Sequence, residues 1–292
     1  MMACNFKSII QDSICKIVRA DHDPDINISI YLEELGENTY IKTENLFPQE
    51  YYYPASLIKL FNAYLAKQKL QLRLPDLIVE KNPKSPDFGQ RNFLDDVYDA
   101  IHESLRSSDN DALGFLVDFN SDTCSGLRLD TKEFSKFKDA RQSISDFFIA
   151  RGYSKKINLA NKCFSFAPYG RERQLVFEEN GLGSNSMRID DVARVMLDII
   201  LNYPELLQSM QRTIGDSADE QTGFIAKGLE PIADRVSAFY SKAGWTSRVR
   251  HDSAYIKMKN SQEFIFVIMT KNLSQFPDLI PEITQQVFLR TS

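Results

Sequence analysis

Ser56-Leu57-Ile58-Lys59 sets a hydroxyl and an amine three residues apart. On a helix that spacing brings both side chains to one face, about one turn apart. A serine hydroxyl attacks a carbonyl only when a neighbour takes its proton. A lysine serves as that base once burial or nearby cations lower its pKa. A helix start adds free backbone N–H groups and the positive end of the dipole. The pattern is also common by chance, since Ser13-x-x-Lys16 and Ser135-x-x-Lys138 occur in the same chain. Context separates the three. Ser13 falls inside an amphipathic stretch and Ser135 inside a charged, loop-like one. Ser56 follows Pro54-Ala55, where a strand pattern gives way to a helical run with Leu57, Leu60, Phe61, Tyr64 and Leu65 on its far side.

Further groups have types that suit a companion role. Ser108-Asp109-Asn110 is the only S-D-N in the chain and lies between two helical stretches. Taken as local structure alone, it is an N-cap for a helix over Asp111–Phe119. Lys242-Ala243-Gly244-Trp245 lies between two strand patterns, where a hairpin turn with a solvated lysine is the plain alternative.

The ordered trio resembles the serine β-lactamase and penicillin-binding-protein superfamily, and within it class A β-lactamases most of all. Members carry S-x-x-K at a helix start, S-D-N in a helical lobe and K-T-G on an edge strand. Pro54-Ala55-Ser56-Leu57 looks like the nucleophile region of D-alanyl-D-alanine peptidases, and Asn185-Ser186-Met187 before a helix with Val192-Ala193 is more like class A enzymes. The resemblance implies a set of roles. Ser56 is acylated, Lys59 is its base, and Ser108 relays a proton to the leaving nitrogen. Asn110 binds the substrate amide. Lys242 supplies positive charge near Ser108 and the substrate carboxylate. Gly244 belongs to the K-x-G, and the N–H groups of Ser56 and Trp245 form the oxyanion hole. Arg250, on the following strand, sits where class A enzymes hold an arginine against the substrate carboxylate, a task suited to a guanidinium. A solvated strand arginine is the alternative.

The sequence departs from the family at two places. Ala243 replaces the threonine of K-T-G, removing one hydrogen bond to a substrate carboxylate, a loss of about 0.5–1.5 kcal/mol or more. Counting back without a gap from Asn185 places Glu172-Arg173-Gln174-Leu175-Val176 on the E-x-x-L-N that holds the deacylating water. Glu172 and Leu175 agree, but Val176 cannot hydrogen-bond a water. The alternative for Glu172 is an exposed carboxylate in a polar loop.

These groups need elements to position them. A helix is expected over Phe6–Val18, strands over Ile26–Leu32 and Thr39–Lys42, and a helix over Leu57–Leu70. Helices follow over Leu94–Leu105, Asp111–Phe119, Ile144–Ala150 and Ile189–Ile200. The polar stretch from Asn120 to Asp139 reads as an inserted loop. Strands over Val236–Ser241, Ala254–Met258 and Glu263–Thr270 lead to a closing helix over Leu279–Leu289. This order predicts an α+β fold, in the form of an α/β sandwich. Both chain ends form one antiparallel sheet with flanking helices, and an all-helical lobe is inserted between them. The expected subdomains are 1–55 with 210–292, and 56–209.

Composition excludes several classes. The chain has 292 residues, 43% hydrophobic and 26% charged, with a net charge of −5 and no long basic run, so a nucleic-acid partner is not expected. Cys4, Cys15, Cys124 and Cys163 form no CxxC pair, and with only His22, His102 and His251 no zinc site and no cofactor are expected. The thiols read as buried or idle in a reducing compartment. No apolar run reaches membrane-helix length and Met1–Ala20 has no signal-peptide pattern. The chain as given therefore reads as cytoplasmic, or as periplasmic if a leader was removed. The expected partner is a small molecule or peptide with a carboxylate, and oligomeric state is not readable. Three functions compete: a hydrolase opening β-lactams through an acyl-serine, a D-alanyl-D-alanine peptidase or esterase on the same scaffold, and a degenerate, non-enzymatic binding module.

Overall fold

The computed structural model describes residues 8, 12, 13, 26–36, 40–45, 51–77, 93–164, 167–215 and 223–291. Most of the helix expected over Phe6–Val18 lies outside the described residues. The chain forms two compact units, Met1–Leu57 with Met187–Ser292, and Ile58–Ser186. The helix Ile189–Asn202, assigned to the helical part from sequence, groups with the sheet.

Among the described residues the first unit has five strands: β1 (Asn27–Leu35), β2 (Tyr40–Asn45), β3 (Val236–Trp245), β4 (Arg250–Met258) and β5 (Glu263–Lys271). Their order is β2-β1-β5-β4-β3, and every pairing is antiparallel. The two chain ends meet where β1 pairs with β5, with Tyr31 opposite Val267. The run Phe264-Ile265-Phe266-Val267-Ile268-Met269 is apolar at every position because both faces are covered. Phe264, Phe266 and Ile268 join Ile28, Ile30, Leu229, Ile283 and Phe288 in one core. That core is closed by the helices Phe224–Leu229 and Leu279–Thr291. Ile189–Asn202 packs on β1, β4 and β5.

The second unit is helical: Ile58–Leu77, Phe93–Arg106, Asn110–Ser121, Thr131–Ile149 and Gly170–Phe177. Phe61, Phe148 and Tyr153 meet edge to face, with centroids 5.2 and 5.1 Å apart for the two Phe148 pairs.

The inserted loop expected from Asn120 to Asp139 is largely helix, which corrects the sequence reading. Asn120 and Ser121 finish one helix, Asp122 ends it in the left-handed region (φ 52°), and Thr131–Ile149 forms the next. Asp130 caps that helix, its side chain accepting from the Glu133 N–H at 2.9 Å. Its exposed charged face hides a regular stripe, Phe134, Phe137, Ile144 and Phe148, all buried. Ser135 stands on the exposed face.

Asp130→Ala is expected to remove about 1 kcal/mol of unfolding free energy in urea titration, since the cap is the only side-chain bond to that helix start among the described residues.

Candidate functional site

The residues singled out from the sequence fall in two clusters, one in each unit. In the sheet unit, Ser56 sits in a 3-10 turn, Ala55–Leu57, that runs straight into the helix Ile58–Leu77. Ala55 is buried with φ of 48°, a left-handed conformation unusual for a residue with a Cβ, so the turn must be held from outside. The preceding residues hold it. Tyr52 exchanges backbone bonds with Met187 at 2.8 and 3.0 Å, and its hydroxyl bonds Ser29 Oγ at 2.8 Å. The Leu57 N–H closes the turn on Pro54 O at 3.1 Å.

His251 holds the Tyr53 carbonyl. Its ring is fully buried, Nε2 lies 2.8 Å from Tyr53 O, and Nδ1 accepts the Thr270 N–H at 3.1 Å. That acceptor role at Nδ1 requires the proton on Nε2, so the neutral ring donates to Tyr53 O. Burial pulls its pKa down to about 4.

The strand β3 meets the turn at Gly244. A Cβ there would lie 2.7 Å from the Ser56 nitrogen and 3.1 Å from both the Leu57 nitrogen and Pro54 O, so only glycine fits. The Ser56 and Trp245 N–H groups, both assigned to an oxyanion hole, thus flank one close backbone approach. Lys242, Ala243, Gly244 and Trp245 all lie within β3, the edge strand, and not in the alternative hairpin turn. Lys242 is 1% exposed and donates to Ala243 O at 2.9 Å. Asp252, opposite Ala243 in the ladder, is fully buried. Its Oδ2 accepts the N–H groups of Phe224 and Ile225 at 2.7 and 2.8 Å, and burial pushes its pKa up to about 7. Arg250 faces Trp245 across the ladder. It is half-buried and not fully solvated: Nε donates to Ser274 O at 2.7 Å and the guanidinium covers the Phe224 ring at 4.8 Å.

In the helical unit, Lys59 opens the helix Ile58–Leu77 and is completely buried. Its Nζ donates to Ser108 Oγ at 3.0 Å, to Asn110 Oδ1 at 2.8 Å, and to Ser108 O. Burial is the main cause that brings its pKa down to about 8, against the opposing pull of Cys163 and Asp109. The S-D-N does both things its sequence allows. Asp109 is an N-cap, accepting from Ala112 N–H at 2.6 Å, and the cap turns Ser108 and Asn110 onto one ammonium. Ser108 adopts φ of 61°, a second left-handed residue. With Oδ1 taken by Lys59, the Asn110 amide NH2 has no partner among the described residues and remains available to a ligand.

Glu172 stands apart from this trio. It lies on the short helix Gly170–Phe177, which the sequence reading treats as a loop, and it is fully buried, not exposed. One oxygen accepts from Arg141 Nη2 at 2.6 Å and Ser125 Oγ at 2.8 Å, and the other is buried without a partner. Arg141 is itself fully buried and also reaches Asp118 at 2.7 Å. Leu175 is in the core beneath, and Val176 is half-buried. Arg141, Ser125 and His251 carry no local motif. Only the fold brings them to Glu172 and Tyr53.

Among the described residues no group of His, Cys, Asp and Glu could hold a metal, and no helix is long and apolar enough to cross a membrane. Cys124 is an exposed free thiol, not a buried one, and Cys163 is free and half-buried; Cys4 and Cys15 lie outside the described residues.

Two outcomes test this geometry. Arg141→Met is expected to cost about 3–5 kcal/mol in urea unfolding, because it strands the buried Glu172 carboxylate, and Glu172→Gln in the same protein recovers part of the loss. A base whose pKa is depressed on folding loses stability as pH falls from the unfolded value toward the folded one. His251 therefore weakens the fold from about pH 6.5 down to about 4. Asp252, raised on folding, acts in the opposite sense over its own range. Relative to wild type, His251→Gln should lose less, or gain more, in urea midpoint as pH falls from 7 to 4.5.

A family model described as "Beta-lactamase enzyme family" matches residues 6–290. Comparison with curated proteins finds no match. Among solved structures, PBP-A is 18% identical with a TM-score of 0.59, covering 97% of this chain and 96% of its own. A class A β-lactamase from Mycobacterium abscessus is 13% identical with a TM-score of 0.61, covering 98% and 99%. The TLA-3 extended-spectrum β-lactamase is 16% identical with a TM-score of 0.60, again covering 98% and 99%. At these identities the structures speak for the α+β fold, while the family model spans nearly the whole chain, turn, S-D-N and edge strand included: the chain belongs to the β-lactamase enzyme family and is a serine-β-lactamase-like hydrolase.

Proposed function

We propose that Ser56 is acylated by the carbonyl of a β-lactam, with opening of the ring. The observation that carries this reading is Lys59: a fully buried amine with a pKa near 8, bonded to Ser108 Oγ and Asn110 Oδ1. Neutral Lys59 takes the Ser56 proton as Oγ bonds to the carbonyl carbon. The negative charge gathers on the carbonyl oxygen, facing the N–H groups of Ser56 and Trp245. The C–N bond then breaks, and Ser108 passes the proton from Lys59 to the leaving nitrogen. Asn110 donates its free NH2 to the substrate's side-chain amide. Lys242 and Arg250 attract the carboxylate, and with Ala243 in place of a hydroxyl-bearing residue that group is held by charge.

Release of the acyl group requires water to attack the ester and return the proton to Ser56. Glu172 is the residue assigned to activate that water, and it is tied to Arg141 and Ser125. One oxygen of that carboxylate is committed to these two donors, and Val176 offers the water no bond. Acylation is therefore faster than turnover. The same ion pair favours a second reading, a D-alanyl-D-alanine peptidase or esterase that penicillins acylate and block.

Nitrocefin decides between them. A burst of about one equivalent, with the acyl adduct on Ser56 by mass spectrometry and a slow steady rate, is the expected result. An adduct lasting hours selects the second reading, and rapid steady hydrolysis excludes it. No colour change with Ser56 unmodified overturns both. Ser56→Ala abolishes the burst. The acylation rate should rise with pH and level off above about 8, as Lys59 loses its proton.

A further inference from the structure

Beside Asn110, within the helical unit, lies a cavity of about 590 Å³ whose lining includes Asp111, Phe115, Phe164 and Tyr169. Gly114 also lines it, and a Cβ there would lie in ordinary contact with the stem of Lys162, 3.5 Å from its nearest carbon. The charges around it are unequal. Lys162 bonds Asp118 at 2.5 Å and Ser125 Oγ at 2.7 Å, and Arg141 binds both Asp118 and Glu172. Those two cations and two carboxylates balance. Asp111 is left over, exposed, and with no partner among the described residues. A negative group beside aromatic walls suits an organic ammonium.

We propose that this cavity is a subsite for the acyl portion of the substrate, and that it takes an aromatic side chain bearing a protonated amine, with Asp111 as the counter-ion. The proposal rests on the acylation reading above. Asn110, whose Oδ1 is taken by Lys59, lines the same cavity. An amide held there directs its acyl substituent toward Asp111, one residue along the same helix. A role for Asp111 confined to the helix dipole predicts no ligand selectivity.

Phenethylamine tests the subsite without any acylation, and 2-phenylethanol is its neutral control. Calorimetric titration of the intact protein should show saturable amine binding, weakened about tenfold by Asp111→Asn, with the alcohol weak in both proteins. Equal amine affinity in the two proteins, or equal affinity for amine and alcohol, overturns the proposal. Acylation then links the subsite to substrate. Ampicillin carries the ring and the ammonium, and benzylpenicillin the ring alone. The ratio of their second-order acylation rates should favour ampicillin in the wild type and fall about tenfold in Asp111→Asn. An unchanged ratio overturns the substrate assignment. If neither compound acylates Ser56, the function reading fails while the amine titration still decides the subsite.

Discussion

The missing side chain at Gly244 is the constraint on which the turn Ala55–Leu57 depends. Strand β3 approaches so closely that a single methyl at this position would press into the nitrogens of Ser56 and Leu57. The approach brings the edge strand alongside the N–H of Ser56. The turn on the other side is not relaxed. Ala55 holds a left-handed conformation, sustained by the Tyr52–Met187 pairing, the His251 bond to Tyr53 and the Pro54–Leu57 closure. Backbone strain of this kind persists only where surrounding structure over-determines it.

A second constraint is the buried amine of Lys59. An ammonium without water needs three acceptors, and Ser108 and Asn110 provide them. The N-cap at Asp109 makes this possible, because it fixes the residues on either side of it. The helix cap and the cradle of the ammonium are thus one feature of the S-D-N. Burial lowers the pKa of the amine enough for it to accept a proton near neutral pH, against the opposing pull of Cys163 and Asp109.

Glu172 is constrained by a buried network of its own unit. Arg141 and Ser125 claim one oxygen, and the other is buried with no partner among the described residues. The buried ion pair adds little net stability, since desolvation offsets its attraction, but it restricts what the carboxylate can do. Lys162 and Asp118 extend the same network to the cavity wall, leaving Asp111 as its uncompensated charge.

The residues alone determined much. Alternation and apolar runs placed β1, β3, β4 and β5, and their order along the chain implied one antiparallel sheet from both ends, as found. The three motifs could be picked out because chain order and flanking elements separated Ser56 from Ser13 and Ser135. Local pattern failed where a charged face masked an apolar stripe, as in Thr131–Ile149, and where a short helix lay inside a polar run, as in Gly170–Phe177. Only the tertiary structure decided that Glu172 is buried, that Arg141 and Ser125 are its partners, that His251 holds Tyr53 and that Gly244 touches the turn. These are contacts between residues far apart in the chain. A hydrogen bond or a buried charge is set by what packs beside it, and spacing along one segment carries no record of that neighbour.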